Sequence, residues 1–431
     1  MSLRVATTSR VITAHGGASL LRETARAVGL GAEVERCVHL KERRRGLTES
    51  EFVLAVAESI ALGARCLDDL EVARGDIAQR ELRGFGVPAP QTTGTWLRRF
   101  TLGHLCQLDK ALAAVHRTAF ERLGLASVTL DFDSTYVFSR STKRQGVDRT
   151  YKLGYALHPL LCFEATTEVA VHARLRRGRA GPSTGIASFV TETLRRVPDG
   201  VAVRARLDSG FYSGRLFTQL ESASVTYLCG TPMIPAIAAQ CTRIPNDRWA
   251  ACTDKDEGEV AEFAYRLTTG GPSRRYVVKR IALREGEQLR FDTGGYRYWV
   301  FVTNDATSSA LDLEREHRHK ADVESGMREL KSNFGLHGFR THGFMANWAW
   351  LELVCIAHNL CRWTQLLGGL AAGRDGGEVR AKRLRYRYLS IPAIVVRTGR
   401  RRVLKLPAAH PFLEQFTTAL GRLQSLGAPP G

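Results

Sequence analysis

The sequence predicts a mixed α/β fold, in which helices cover a sheet of parallel and antiparallel strands and a helical region precedes that sheet. Three observations lead to this prediction. Residues 1 to about 125 have helical periodicity, strand and helix patterns alternate from residue 127 onward, and a turn-rich segment of alternating polarity interrupts them at 231–296. The 431 residues suffice for two or three domains with a substantial core.

The clearest helix of the N-terminal region is "LTESEFVLAVAESIALGARC". Thr48 and Glu51 have the spacing of a capping box, and the apolar residues after them fall on one stripe. Two further helices follow the turn at 88–92. The first is short and carries Arg98 and Arg99, so this pair is either a DNA-binding module or part of an ordinary helical bundle.

Strand and helix patterns then alternate in a definite order. "SVTLDFDSTYVF" and "YALHPLLCFEATTEVAVHARL" predict three strands, and "STGIASFVTETLRRV" predicts a helix. "DGVAVRARLDSGF" predicts a strand, "SGRLFTQLES" a helix and "VTYLCG" another strand. A strand in "YRYWVFVTND" closes the turn-rich segment, and the buried helix "MANWAWLELVCIAHNLCRWTQLL" comes later.

We divide the chain into five segments on this basis. They are a helical DNA-binding region (1–125), the first part of a catalytic core (126–230), a β-rich insertion (231–296), the second part of the core (297–370) and a basic region ending in a hairpin (371–431).

The charge indicates a polyanionic partner. The net charge is +19 and the isoelectric point is about 9.9, which is typical of proteins that bind nucleic acid, although a composition rich in arginine is the alternative. The candidate DNA-binding residues lie in basic clusters at Arg43, Arg44, Arg45, Arg98, Arg99, Arg400, Arg401 and Arg402.

Other patterns exclude several classes of protein. The nine cysteines include no C-x-x-C pair, which favours reduced thiols over a disulfide framework. Cys355, His358 and Cys361 lie in an apolar helix without a fourth ligand, so we interpret them as core rather than as a zinc site. The N-terminus has no secretory signal, and no run of 18 apolar residues could span a membrane, so we expect a cytoplasmic protein.

Two carboxylates close together on a strand are the first candidates for catalysis. Asp131 and Asp133 point to the same face of the strand in "TLDFDST", where acids are uncommon. They either face solvent or hold a ligand. Asp208 ends a later strand just before a glycine turn, where ligands of α/β sheets collect, although aspartate is also a common helix cap.

A third acid lies in "HRHKADVESGMRELKSNFG". On a helix, His317, Lys320, Glu324 and Lys331 fall on one stripe, so Glu324 is an acid among cations. It is either a metal ligand beside phosphate-binding side chains or part of a charged surface helix. Three carboxylates from separate elements suit two Mg²⁺ ions, because this metal prefers hard oxygen ligands.

These three places together resemble the DDE transposases of bacterial insertion sequences, over roughly residues 20–400. "DFDST", "LDSGFYS" and the E-(6)-K spacing of Glu324 and Lys331 carry the resemblance. The nearest branch is that of Y-(2)-R-(3)-E-(6)-K, and within it the insertion sequence 1380 family. His317 stands at the tyrosine position and Lys320 at the arginine position, and Gly326 stands where the family commonly has a larger residue.

The resemblance implies an RNase H-like catalytic domain in which Asp133, Asp208 and Glu324 hold two Mg²⁺ ions, with Mn²⁺ as an alternative metal. It implies that Asp131 tunes the site or replaces Asp133. His317, Lys320 and Lys331 would position phosphates. The enzyme would bind the terminal inverted repeats of its own element as a dimer, cleave the DNA ends and join them to target DNA.

Trp299 lies in the strand "YRYWVFVTND", which leads into the predicted helix of Glu324. A tryptophan on an apolar strand ordinarily belongs to the core. In the branch that this chain resembles, an aromatic residue of the insertion can instead stack on a base turned out of a DNA hairpin.

Two other functions remain open from the sequence: an RNase H-like nuclease that does not join strands, and a non-catalytic DNA-binding protein from a decayed element.

Overall fold

The computed structural model describes residues 3–43, 45–150, 152–252, 258–269, 271–284, 287, 293–318, 323–339, 341–370, 380–399 and 401–427. For residues 323–325 it describes the backbone alone. The candidate residues Arg44, Lys320 and Arg400 lie outside this description, as does the side chain of Glu324.

The N-terminal region is helical, as the sequence predicts. Its elements are β1 (Ile12–Thr13), α1 (Ala18–Ala27), α2 (Leu30–Cys37), α3 (Glu49–Leu62), α4 (Leu70–Gly75), α5 (Ile77–Arg83), α6 (Pro90–Arg98) and α7 (Leu102–Leu123). The predicted capping box is present, because the Thr48 side chain accepts from the Glu51 amide and the Glu51 carboxylate accepts from the Thr48 amide.

The main sheet contains strands from both predicted parts of the core. In chain order they are β2 (Ser127–Ser134), β6 (Leu160–Glu164), β7 (Ala170–Arg174), β8 (Ala202–Leu207), β9 (Thr226–Gly230), β10 (Ala250–Ala251), β11 (Glu259–Arg266), β12 (Ser273–Ala282) and β13 (Tyr296–Thr303). Their order across the sheet is β10-β11-β12-β13-β9-β8-β2-β6-β7. The strands β3 (Val137–Phe138), β4 (Asp148–Arg149) and β5 (Tyr155–Leu157) form a small separate sheet.

Strand directions in the sheet are mixed. β8 runs parallel to both β2 and β9, whereas β6 is antiparallel to β2 and to β7. This arrangement confirms the predicted mixed α/β class and is consistent with an RNase H-like fold. The segment predicted as a β-rich insertion supplies β10, β11 and β12, which extend the same sheet because β12 pairs with β13 and β13 pairs with β9.

Helices cover both faces of the sheet. They are α8 (Ile186–Leu194), α9 (Gly214–Ser222), α10 (Pro235–Thr242), α11 (Ala310–Arg318), α12 (Val323–Asn333) and α13 (Phe344–Gly368). Helices α8 and α9 share one core with Leu130 and Phe132 of β2. Helices α12 and α13 share the other core with Leu161 and Phe163 of β6, so the opposite face of β2, with Asp131 and Asp133, lies on their side.

Helix α13 joins the N-terminal region to the sheet, because it packs against α1, α3, α6, α7 and β7. The C-terminal region contains α14 (Ala381–Leu384), a π-helical turn (Arg385–Leu389), β14 (Ala393–Thr398), β15 (Arg401–Lys405) and α15 (Leu413–Ser425). β14 and β15 form the predicted hairpin, which pairs with β1.

The cysteines and the apolar helix α13 have ordinary surroundings. Cys355, His358 and Cys361 are all buried in α13, as expected for core residues. Within the part of the chain that the structure describes, every cysteine is a free thiol and no helix is long and apolar enough to cross a membrane.

Candidate active site and basic groove

Two predicted catalytic residues lie at the ends of neighbouring parallel strands. The register of β2 and β8 pairs Phe132 with Leu207, and Asp133 and Asp208 each come one residue later. Adjacent strands lie about 4.8 Å apart, so the two aspartates are neighbours across the ladder. Asp133 is partly buried and Asp208 is exposed. The sheet therefore brings together two carboxylates that are 75 residues apart in the chain (208 minus 133).

Asp131 has different surroundings from Asp133, although the two share a face of β2. Its side chain is fully buried, and its two carboxylate oxygens accept hydrogen bonds from Nε and Nη2 of Arg206, both at 2.6 Å. Arg206 also donates to the Glu316 carbonyl oxygen on α11 at 3.1 Å. Asp131 thus takes part in an ion pair that connects β2, β8 and α11, and the interpretation that it faces solvent is wrong.

Helix α12 crosses the sheet beside these aspartates. Gly326 lies against Phe163, which pairs with Asp131, and a Cβ atom on Gly326 would lie only 3.0 Å from the phenyl ring. At the other end of the helix, Lys331 Nζ donates a hydrogen bond to the hydroxyl of Thr135. Glycine at position 326 therefore allows the helix to pack closely on β6.

Glu324 belongs to this helix, seven residues before Lys331. Seven residues are close to two helical turns, so the two residues lie on nearly the same side of α12, as the sequence predicts. Burial lowers the pKa of Lys331, and the nearby carboxylate of Asp133 opposes that shift. The lysine ammonium is thus within electrostatic range of the first predicted ligand.

A cavity of about 750 Å³ opens at Asp133. Its lining also includes Arg65, Arg328, Lys331 and His337. Among the described residues that line it, Asp133 is the only acid, so the cavity combines one metal-type ligand with several cationic or hydrogen-bonding groups. Such surroundings suit a phosphate group beside the carboxylate.

His317 packs on the main sheet and is not among the residues that line the cavity. Its ring stacks on Phe301 of β13, with ring centroids 4.8 Å apart and an interplanar angle of 6°. Phe301 is buried, and the neighbouring helix residue Glu316 accepts a hydrogen bond from Arg204 of β8 at 2.6 Å. These contacts hold the end of α11 over β8 and β13.

Trp299 lies two residues before Phe301 on the same face of β13. Its side chain is 45% exposed, so the interpretation of Trp299 as a core residue is wrong. The core on this side ends at Phe301, which α11 covers. The Arg297 guanidinium lies 5.8 Å from the centre of the indole ring.

A second concavity lies in the N-terminal region and has a volume of about 1090 Å³. The loop between α2 and α3, the α4–α5 segment and α6 line it, and we call it the basic groove. Its cationic lining residues are Lys41, Arg43, Arg45, Arg74, Arg80 and Arg99. Glu42 is the only acid among the lining residues that the structure describes.

The other predicted DNA-binding arginines lie on exposed surface. Arg98 is exposed on α6 and donates to the Thr95 hydroxyl at 3.0 Å. Arg401 and Arg402 are exposed on β15. The hairpin that carries them contacts α5, the helix of the groove residue Arg80. The basic surface of the C-terminal region is therefore adjacent to the helix that lines the groove.

Asp109, His172 and Glu192 also come close enough to one another to hold a metal ion. However, Arg196 pairs with Asp109 and Arg174 pairs with Glu192. Burial, with the charge of Arg196 as the second cause, lowers the pKa of His172 to about 3. The two guanidinium groups already supply the positive charge that a metal ion would bring to these carboxylates, so we interpret the cluster as a structural ion-pair network.

The comparison with protein families decides the class of this chain. The family model described as "Transposase DDE domain group 1" matches residues 1–428. The chain belongs to the DDE transposase family. Members of this family are enzymes of DNA transposition that use divalent metal ions. The predicted family is therefore confirmed, whereas the insertion sequence 1380 branch stays a prediction.

Among solved structures, this DDE transposase is similar to a piggyBac transposase in a synaptic complex with hairpin DNA. The sequence identity is 13%, the TM-score is 0.46, and the match covers 89% of this chain and 82% of that chain. No curated protein matches the chain.

Several residues around the two concavities were not found from the sequence of this DDE transposase. They are Arg65, Arg328 and His337 in the cavity and Arg74 and Arg80 in the groove. Each is a single polar residue outside the basic clusters and outside the spacing of the family motif. Arg328 alone had a local signal, since it lies within the motif helix.

Proposed function

We propose that this transposase binds the terminal inverted repeats of its own insertion sequence and catalyses metal-dependent strand cleavage and strand transfer. The observation that carries the proposal is the placement of Asp133 and Asp208 at the ends of two adjacent parallel strands. We assign the chain to the insertion sequence 1380 branch on the E-(6)-K spacing of Glu324 and Lys331.

Asp133, Asp208 and Glu324 are the proposed metal ligands. Carboxylate oxygens are the donors that Mg²⁺ and Mn²⁺ prefer, and the exposure of Asp208 leaves room for metal-bound waters or substrate. When bound, the metal ions would activate the attacking oxygen and stabilise the leaving oxygen of the phosphodiester. Asp131 is fully engaged with Arg206, which supports Asp133 as the first ligand.

The remaining groups of the site act on the DNA. Lys331 is anchored through Thr135, two residues after Asp133, and its ammonium group would hold a phosphate at the cavity. Arg328 would add a second cation at the same place. His317 and Lys320 would contact phosphates of the same strand, with His317 held by its stacking on Phe301. Positively charged donors placed in this way lower the cost of charge developing on the phosphate.

The basic groove and the C-terminal hairpin are the proposed DNA-binding surface, with Arg43, Arg44, Arg45, Arg98, Arg99, Arg400, Arg401 and Arg402 as its contacts. The division of the chain into a helical DNA-binding region, a split catalytic core and a basic C-terminal region follows from this assignment. Two copies would bind two DNA ends, and the protein would act in the bacterial cytoplasm on nucleoid DNA.

Joining of DNA ends tests this proposal. Purified protein is mixed with Mg²⁺, DNA carrying the element's own inverted repeats, and a supercoiled target plasmid. We expect strand cleavage at the repeat end and insertion of that end into the plasmid, both abolished by EDTA. Cleavage without insertion would show a nuclease instead. Specific binding without cleavage would show a DNA-binding protein that has lost its chemistry.

A further inference from the structure

Arg65 lines the cavity at Asp133 although it comes from the N-terminal helical region. It lies in the loop between α3 and α4, well before the first strand of the main sheet. Its side chain is exposed, and it shares the cavity with Arg328, Lys331 and His337. A residue of the helical region thus lines the cavity next to the proposed cleavage site.

The backbone of Arg65 is held firmly against the end of α12. Gly335 follows that helix with a φ of +79°, and a Cβ atom on it would lie 2.7 Å from the Arg65 carbonyl oxygen. On the other side, the Arg65 amide donates to the Asp69 carboxylate at 2.6 Å, and the Cys66 amide donates to the same oxygen at 3.1 Å. The close packing at Gly335 requires a residue without a side chain.

The charge around Arg65 favours an anion. Arg328 and Lys331 add positive charge to the cavity, and the guanidinium of Arg385 lies near enough to Arg65 for the two cations to affect one another. These cations outnumber Asp133, the one acid among the described lining residues, so the cavity keeps an excess of positive charge that a further anion would offset. DNA phosphate is the anion that the proposed function supplies.

We propose that Arg65 binds a backbone phosphate of the DNA end close to the scissile phosphate. Arginine can donate two parallel hydrogen bonds to one phosphate, which gives geometric precision as well as charge. This inference rests on the proposed function, because it takes the DNA end as the substrate of the cavity.

The same segment reaches the basic groove. Helix α4 begins five residues after Arg65 and carries Arg74, and α5 carries Arg80, both of which line the groove. A DNA strand that leaves the cavity past Arg65 would therefore meet the arginines of the groove next. Arg65 would couple recognition of the repeat to the position of the cleaved bond.

Neutral phosphates test the inference through binding, without any need for cleavage. End DNA is made with a methylphosphonate at one position at a time around the cleavage site, and its affinity is measured in Ca²⁺ by gel shift. For the wild type, we expect one or two positions at which neutralisation weakens binding about tenfold, the size of one charge-assisted hydrogen bond. In Arg65→Ala, binding should be weaker by a similar factor and insensitive to those positions.

Two further variants make the result specific. Arg65→Lys keeps the charge, so compared with Arg65→Ala it should recover part of the affinity for end DNA and part of the sensitivity to the methylphosphonate position. Arg195→Ala removes an exposed arginine at the end of α8, on the opposite face of the sheet, and should retain the wild-type pattern.

If Arg65→Ala is as sensitive to every methylphosphonate as the wild type, the inference is overturned even when cleavage and strand transfer occur normally. If the wild type does not cleave DNA but Arg65→Ala still loses its sensitivity to those positions, the proposed strand cleavage is overturned and the inference about Arg65 stands.

Discussion

Asp131 and Asp133 show how two identical residues on one strand face can have different roles. Asp131 is buried and both of its oxygens accept hydrogen bonds from Arg206, whereas Asp133 lies at the end of the strand, where the cavity opens. Strand alternation places both on the same face, so the sequence alone could not separate their roles. The partner that distinguishes them, Arg206, is on another strand, 75 residues away (206 minus 131).

Asp131→Ala should destabilise the fold, whereas Asp133→Ala should not. Removing the carboxylate leaves the buried Arg206 guanidinium without its ion-pair carboxylate, which costs about 3–5 kcal/mol in the free energy of unfolding. Asp133 is only partly buried, so its loss should cost much less. Urea denaturation of both variants measures the difference. Equal stability of the two would mean that the ion pair does not hold the strands.

Trp299→Ala should change DNA processing more than stability. Because the indole is 45% exposed, its loss should lower the free energy of unfolding by less than the roughly 3–5 kcal/mol typical of a core tryptophan. If Trp299 stacks on a base turned out of a hairpin, the variant should nick each end normally and form hairpin ends poorly, since one such contact contributes about 1–3 kcal/mol.

Thermal melting beside a nicking and hairpin assay measures both effects. Tyr386→Ala is a suitable control, because Tyr386 is also an exposed aromatic residue but lies in the C-terminal turn. Equal loss of nicking and hairpin formation in Trp299→Ala would argue against stacking.

Helix α12 is the element on which the site depends most. The sequence predicts the helix and the stripe that contains Glu324 and Lys331, because both follow from local periodicity. The role of Gly326 could not be predicted, since its reason is the phenyl ring of Phe163 on a distant strand. From the sequence, this glycine differs only in being smaller than the residue that the family commonly has there, and it weakens the helix. In the structure, it sets how closely the helix approaches the sheet.

Gly326→Ala should therefore reduce cleavage without lowering stability much. Alanine favours the helix by up to about 1 kcal/mol, but its Cβ atom forces α12 and Phe163 apart by a few tenths of an ångström. Small displacements of catalytic groups cost up to about 100-fold in rate, so we expect a loss of roughly tenfold in single-turnover nicking.

The chain contains a matched control for this substitution. Gly421 lies inside α15, and a Cβ atom added to it would meet no other atom within 4 Å, so Gly421→Ala should add helix stability and leave nicking unchanged. The double variant Gly326→Ala with Phe163→Leu should recover part of the nicking rate. Wild-type nicking by Gly326→Ala would show that the spacing between helix and sheet does not matter for catalysis.

At the scale of the whole molecule, the alternation of strands and helices predicted the fold class, because a local pattern suffices for that. The extension of the main sheet by β10, β11 and β12 was not predicted, since strand pairing is set by distant partners rather than by composition. The groove and the contribution of Arg65 to the cavity were missed for the same reason. Arg65 reaches the cavity because its loop packs against Gly335 at the end of α12, and the groove forms between N-terminal elements that are separated in the chain.

The central claim is that Asp133, Asp208 and Glu324 hold the metal ions for DNA cleavage. Its most direct test is end nicking in Mg²⁺ by Asp133→Asn, Asp208→Asn and Glu324→Gln, with gel-shift affinity for the same DNA measured beside it. We expect each variant to lose nicking by at least about 100-fold, because a metal ion contributes several kcal/mol to the reaction, and to keep its affinity for DNA, which comes mainly from basic surfaces. Nicking at the wild-type rate by Asp208→Asn or Glu324→Gln would contradict the claim.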